Sequence, residues 1–247
     1  MRNSEGLDAM RAAISFSDDS LEPAVRGFLH SPTNPNGDAL ILTHGAGSDC
    51  AAPLLVALGE AFAAHGYVVL RCDLPFRQER RTGPPFPGNA ERDRAGLRNA
   101  VAVLRKNVAG RIFLGGHSYG GRQATMLCAT EPEFIKPDSV KPHLVTPDSI
   151  KPDLVSGLLL LSYPLHPPRK PEQLRIQHLP NLRTPSLFVH GTRDPFGSIE
   201  EIMKAVQLIP AKTELMKVED AGHDLGFKAN VLELLARILG RFEELFS

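Results

Sequence analysis

Short apolar runs and helically spaced apolar positions alternate along most of this chain. Ala39–Thr43, Tyr67–Leu70, Ile112–Leu114, Gly157–Leu161 and Ser186–Val189 are brief runs dominated by Ala, Val, Ile, Leu and Phe, and Thr213–Val218 follows as a sixth strand candidate. Runs with so little polar alternation suit strands that are covered on both faces. Between them, Pro53–His65, Glu91–Val108, Gln123–Thr130, Ile199–Leu208 and Ala229–Phe246 repeat their apolar residues at helical spacing. Ser48 or Asp49 is placed to cap the first of these helices, and Gly66 stops it. Near the start, Ala12–Phe16 and Ala24–Leu29 flank Ser17-Asp18-Asp19-Ser20, the pattern of a hairpin at a sheet edge. The whole predicts an α/β architecture: a mainly parallel, twisted sheet of about seven to eight strands with helices on both faces.

Two stretches break this rhythm. From Glu131 to Val155, prolines 132, 137, 142, 147 and 152 recur every five residues, with Lys-Pro-Asp at 136 and 151. Proline at that density removes helix hydrogen bonds faster than a helix tolerates, so 131–155 reads as a low-complexity surface insert. It is expected at the sheet edge away from Ser118. The second stretch, about two dozen residues between the strands ending near Leu161 and starting near Ser186, is too short for a large cap domain, which predicts an open cleft. Residues 1–247 are therefore expected to form one domain carrying one insert.

Composition narrows the function. The 247 residues are 42% hydrophobic, enough to fill a sizeable core. Lys+Arg and Asp+Glu both number 28, so no net charge attracts nucleic acid or an anionic membrane. Cys50, Cys72 and Cys128 lack metal-ligand spacing and read as reduced thiols. No stretch approaches the roughly 18 apolar residues of a membrane span, and Met1–Asp19 has no signal-like apolar segment. A cytoplasmic, soluble protein is expected, with no metal and no cofactor.

The chemistry centres on Gly116-His117-Ser118-Tyr119-Gly120, which falls between an apolar strand and a helix. A serine at such a turn has its hydroxyl thrust outward, and glycines two before and two after let strand and helix approach. Serine is a poor nucleophile at neutral pH and needs a histidine base, itself oriented by an acid. In a parallel sheet these partners must come from loops at the C-terminal ends of other strands. Asp194, in His190-Gly191-Thr192-Arg193-Asp194, and His223, in Asp220-Ala221-Gly222-His223, occupy such loops. An oxyanion would be held by the N–H of Tyr119 and by one from His44-Gly45-Ala46-Gly47, with Ala46 the expected donor. The loop from Phe76 to Gly88, with Pro84, Pro85, Phe86 and Pro87, is expected to supply an apolar wall together with Tyr163 and Phe196, and Arg77, at a strand's catalytic edge, to meet an anionic substrate group.

The nucleophile turn, the Ser-Asp-His order and the glycine loop after Thr43 resemble the α/β-hydrolase superfamily from Ala39 onward. Asp73-Leu74-Pro75-Phe76, Ser162-Tyr163-Pro164-Leu165-His166-Pro167-Pro168 and His190-Gly191-Thr192-Arg193-Asp194 resemble its dienelactone-hydrolase-like branch, which includes testis-expressed and NSL-complex-subunit relatives. Dienelactone hydrolases proper use a cysteine nucleophile, so their substrate does not carry over to a chain with Ser118. The resemblance implies hydrolysis of a carboxylic ester or thioester through an acyl-enzyme. It leaves two alternatives: a silent scaffold or interaction subunit, as in some members of that branch, and an acyltransferase.

Overall fold

The computed structural model describes residues 12–130, 154–227 and 230–247. Its strands are β1 (Ile14–Asp18), β2 (Val25–His30), β3 (Ala39–Thr43), β4 (Val68–Cys72), β5 (Ile112–His117), β6 (Gly157–Leu161), β7 (Ser186–Gly191) and β8 (Thr213–Val218). They form one sheet in the order β1-β2-β4-β3-β5-β6-β7-β8. The β1–β2 and β2–β4 pairings are antiparallel and every later one is parallel. The fold is thus the expected α/β-hydrolase sheet, with the predicted hairpin at its edge and, among the described residues, no cap domain.

The strand sequences explain their ranks in the sheet. Every residue of Ala39–Thr43 and Gly157–Leu161 is buried, as central strands covered on both faces require. Ile14–Asp18, on the edge, leaves its residues exposed or half-buried. Within each central strand, successive side chains enter opposite layers. Ile41, Leu114 and Leu160 face one cluster with helices α3 (Asn89–Arg105), α4 (Tyr119–Thr130) and α5 (Ile199–Val206). Leu42, Phe113 and Leu159 face the other, with α1 (Pro53–Ala64) and α6 (Val231–Phe246). There Phe242 meets Phe62 and Phe113 edge-on at centroid distances of 5.0 and 4.8 Å. Truncating so enclosed a ring to alanine costs about 3–5 kcal/mol.

Local expectations shift in four places. The N-cap of α1 is Ala52, with Pro53 opening the helix, while the Asp49 carboxylate accepts the Ala51 N–H at 2.9 Å. A five-residue helix, α2 (Pro75–Glu79), follows β4 where a loop was expected. Helix α4 starts at Tyr119 rather than Gln123, taking in two glycines. Among the described residues, the connection from β6 to β7 holds only one 3-10 turn, Leu179–Asn181. The Pro-rich repeat expected at 131–155 lies, but for its last residues, outside the described residues.

The parallel strands all end on one edge, and that edge carries the loops of interest. The turn after β3 holds Gly45 and Ala46, that after β5 holds Ser118, and the loops after β7 and β8 hold Asp194 and His223.

Candidate active site

Ser118 sits between β5 and α4 at φ +52°, a left-handed conformation that costs a non-glycine residue on the order of 1–3 kcal/mol. The neighbours hold it there: its N–H donates to the Leu161 carbonyl at 2.8 Å, and its carbonyl accepts the Arg122 N–H at 3.0 Å. The flanking glycines are needed for close approach. A Cβ on Gly116 would come within 2.7 Å of the Gly121 nitrogen, and one on Gly120 within 2.6 Å of the His44 carbonyl.

The Ser118 hydroxyl lies 2.8 Å from His223 Nε2, and His223 Nδ1 lies 2.8 Å from Asp194 Oδ2. With Nδ1–H donating to the carboxylate, Nε2 presents its lone pair to the serine hydroxyl. The Asp194 side chain is fully buried, and its other oxygen accepts the Phe196 N–H at 2.9 Å. The two loops that bring Asp194 and His223 together touch through their backbones. Arg193 N–H donates to the Ala221 carbonyl at 2.9 Å, and a side chain on Gly191 would collide with that same carbonyl.

His223 is also held from below and from the side. His117 Nε2–H donates to the His223 carbonyl at 2.8 Å, and the Phe196 ring lies 4.2 Å from the imidazole at an interplanar angle of 32°. Burial outweighs the hydrogen bond to the His223 carbonyl and lowers the His117 pKa to about 4, so this second imidazole stays a neutral tether. The sequence signal for that role was the position of His117 beside the serine, where the apolar pattern suggested only packing.

The glycine loop after β3 is braced by His44 and Arg77. The Gly45 carbonyl accepts from His44 Nδ1–H at 2.9 Å and from the Ser48 N–H at 3.2 Å. Because a trans peptide sets C=O and N–H on opposite sides, the Ala46 N–H points away from both donors. The Tyr119 N–H, at the first turn of α4, has no intrahelical acceptor. Among the described residues, neither N–H meets a backbone acceptor.

Arg77, expected at the substrate, is 6% exposed and spends its guanidinium on four carbonyls. It donates to Ser48 at 2.8 Å, Ala46 at 2.9 Å, and Arg80 and Gly83 at 3.0 Å each. Phe76 and Tyr163 are likewise placed away from the cleft, being 2% and 1% exposed within the core. Phe76 packs edge-on against Tyr119 at 5.8 Å, and Asp93 ties the pair by accepting from the Phe76 N–H at 3.0 Å and the Tyr119 hydroxyl at 2.8 Å. Of Phe76, Arg77, Tyr163 and Phe196, only Phe196 lines the cavity that holds Ser118, where Pro84 and Pro85 of the expected apolar wall also lie.

That cavity has a volume of about 570 Å³, and Pro84, Pro85, Pro164, Arg122 and Arg175 join Phe196 in its wall. A smaller apolar cavity of about 240 Å³, walled by Leu54, Leu55 and Phe227, shares His117 and Ser48 with it. Neither arginine stood out in the sequence. Arg122 is one of several basic residues on helices, and Arg175 lies in an irregular connection.

A family profile described as an alpha/beta hydrolase domain matches residues 36–233. Among solved structures, a dienelactone hydrolase from Anabaena variabilis is 19% identical with a TM-score of 0.69, covering 95% of this chain and 98% of its own. An alpha-beta serine hydrolase homologue from Coxiella burnetii is 15% identical with a TM-score of 0.67, covering 92% and 96%. A Xanthomonas campestris protein, described as a serine hydrolase without a lid, is 13% identical with a TM-score of 0.67, covering 92% and 91%. At these identities the structures speak for the fold, whereas the family match spans most of the sequence, and the chain accordingly belongs to the alpha/beta hydrolase family.

Proposed function

We propose that this protein is a serine hydrolase that cleaves a carboxylic ester or thioester, with Ser118 as nucleophile, His223 as proton carrier and Asp194 as its orienting anion. The observation that carries the reading is the unbroken chain from Ser118 Oγ through His223 to a buried carboxylate, each link 2.8 Å. Ser118 Oγ attacks the carbonyl carbon while its proton passes to His223 Nε2. The C=O electrons move onto oxygen, and the Ala46 and Tyr119 N–H groups receive the oxyanion. On collapse, the alcohol or thiol departs with the proton from Nε2, leaving an acyl-serine. Water then repeats the sequence, losing its proton to Nε2 and releasing the carboxylic acid and free Ser118.

Two further features fit this role. The resemblance of the Asp73–Phe76 and Ser162–Pro168 stretches points to the dienelactone-hydrolase-like branch, and the chain acts as one domain. A fluorophosphonate probe should label Ser118, and the protein should turn over p-nitrophenyl butyrate or an acyl thioester. A folded protein that neither labels nor turns over any such substrate is a scaffold, and the proposal fails.

A further inference from the structure

Arg122 lies in the first turn of α4, where its N–H donates to the Ser118 carbonyl at 3.0 Å. Arg122 and Arg175 both line the cavity that holds Ser118. Among the described residues, no acidic side chain joins them in that wall. Arg122 Nε is buried with no hydrogen-bond partner. Among the described residues, the one side-chain bond from Arg175 is a long contact of 3.4 Å to the Pro164 carbonyl. Burial, reinforced by the nearby charge of Arg122, lowers the Arg175 pKa from its ordinary value. Two guanidinium groups thus face one cavity, close enough to repel each other, with no counter-ion among the described residues.

Their backbones are fixed by a single polar chain. Tyr163 Oη–H donates to the Arg175 carbonyl at 3.1 Å, and Thr125 Oγ1–H donates to the Arg122 carbonyl at 2.8 Å. His178 Nε2–H lies between the two hydroxyls, 2.9 Å from Thr125 and 3.4 Å from Tyr163. Desolvation, with Arg122 and Arg94 nearby, lowers the His178 pKa to about 4, so the imidazole linking them adds no third cation. Gathering cations at a cleft wall without an anion is unfavourable unless a ligand brings one, and a planar guanidinium pair matches carboxylate or phosphate oxygens.

We propose that Arg122 and Arg175 bind an anionic group of the substrate, so that the ester or thioester cleaved at Ser118 carries a carboxylate or phosphate. This deepens the serine-hydrolase reading and rests on it. The anion expected at Arg77 is met instead by these two side chains, because Arg77 is consumed by backbone carbonyls.

The test compares kcat/KM of the full-length protein on matched pairs of esters. In p-nitrophenyl hemiglutarate against p-nitrophenyl hexanoate, a carboxylate sits in the acyl arm. In 4-acetoxybenzoate and 4-acetoxyphenyl phosphate against phenyl acetate, a carboxylate or a phosphate sits in the leaving arm. At least one anionic member should exceed its neutral partner by about tenfold or more at low ionic strength, and the advantage should shrink in about 0.5 M salt. Which member wins identifies the anion and its arm. Arg122→Gln and Arg175→Gln should each reduce the anionic-to-neutral ratio about tenfold, with Arg122→Lys recovering part of it. Arg241→Gln, which removes an exposed arginine paired with Glu244 on α6, should leave the ratio unchanged. Turnover of neutral esters without any anionic preference, or a ratio indifferent to Arg122 and Arg175, overturns the proposal. If no ester is cleaved and Ser118 does not label, the hydrolase reading fails separately. The arginine site is then judged by Tm: glutarate or inorganic phosphate must raise it in the parent and not in Arg122→Gln, and no shift refutes the site as well.

Discussion

At Asp194 and His223 the protein supplies the partners itself, whereas one helical turn along α4 Arg122 Nε is buried without one. Both regions line or adjoin the same cavity, and both hold groups that are costly to desolvate. The difference separates two kinds of polar residue. Groups that must keep one geometry are held by internal hydrogen bonds; groups that await a ligand have their backbones fixed and their side-chain donors left over. Arg77 makes the contrast sharper, since it is an arginine of the same neighbourhood placed wholly on the internal side.

The most severe way to break the internally paired region is to remove its ends. Ser118→Ala and His223→Ala should each lower kcat on p-nitrophenyl butyrate by about 10⁴-fold or more, and Asp194→Asn should approach that loss by reversing the imidazole tautomer. Near-parental kcat in Ser118→Ala would refute the assignment outright. Circular dichroism should show all three variants folded, because the amide that replaces buried Asp194 is isosteric and Ser118→Ala removes only a hydroxyl.

Arg77→Met tests whether internal pairing, rather than substrate contact, is what this arginine provides. Losing the clasp on the Ala46 and Ser48 carbonyls should loosen the oxyanion loop and lower kcat by about 10²-fold, the scale for one misplaced oxyanion donor. KM for neutral and anionic esters should change alike. A selective rise in KM for anionic esters would instead return Arg77 to the substrate.

The smallest predicted effect concerns pH. His30 accepts the Arg71 Nε–H at 2.8 Å, and burial, then the charge of Arg71, lowers its pKa to about 4. His117 and His178 are lowered to the same value. A lowered histidine stays neutral in the fold while the unfolded chain protonates near pH 6.5, so the unfolded state binds more protons between those limits. Stability should therefore be level above about pH 6.5 and fall as pH drops toward about 4. His30→Gln should flatten part of that fall in a Tm-against-pH series. An unchanged slope would mean that His30 is not held neutral.

Much of the fold was legible because buried parallel strands advertise themselves: Gly157–Leu161 is almost pure leucine, and both its faces are covered. Strand ends are also a property of sequence, which is why Ser118, Asp194 and His223 were expected on one edge, where they do lie within hydrogen-bond reach. Helix α4 was expected from Gln123, where the helical spacing of apolar residues resumes, yet it starts at Tyr119, and only glycine at 120 permits the contact with the His44 carbonyl. Arg77, Phe76 and Tyr163 were misplaced for a different reason. Partners that hold them lie far away in sequence, as the Ser48 and Ala46 carbonyls do for Arg77, and nothing local distinguishes an arginine that clasps carbonyls from one that meets a ligand.

The uncapped β6–β7 connection bears on the choice between hydrolysis and acyl transfer. His223 keeps 24% of its side chain exposed, so Nε2 works at the border of bulk solvent. An acyl-serine formed there would be attacked by whichever nucleophile reaches the imidazole most often, and in an unshielded cleft water outnumbers any dissolved alcohol, amine or thiol. Transferases commonly protect the intermediate by excluding water during its lifetime. Among the described residues no cap does so, and the partition ratio of the intermediate should lie on the side of the free acid.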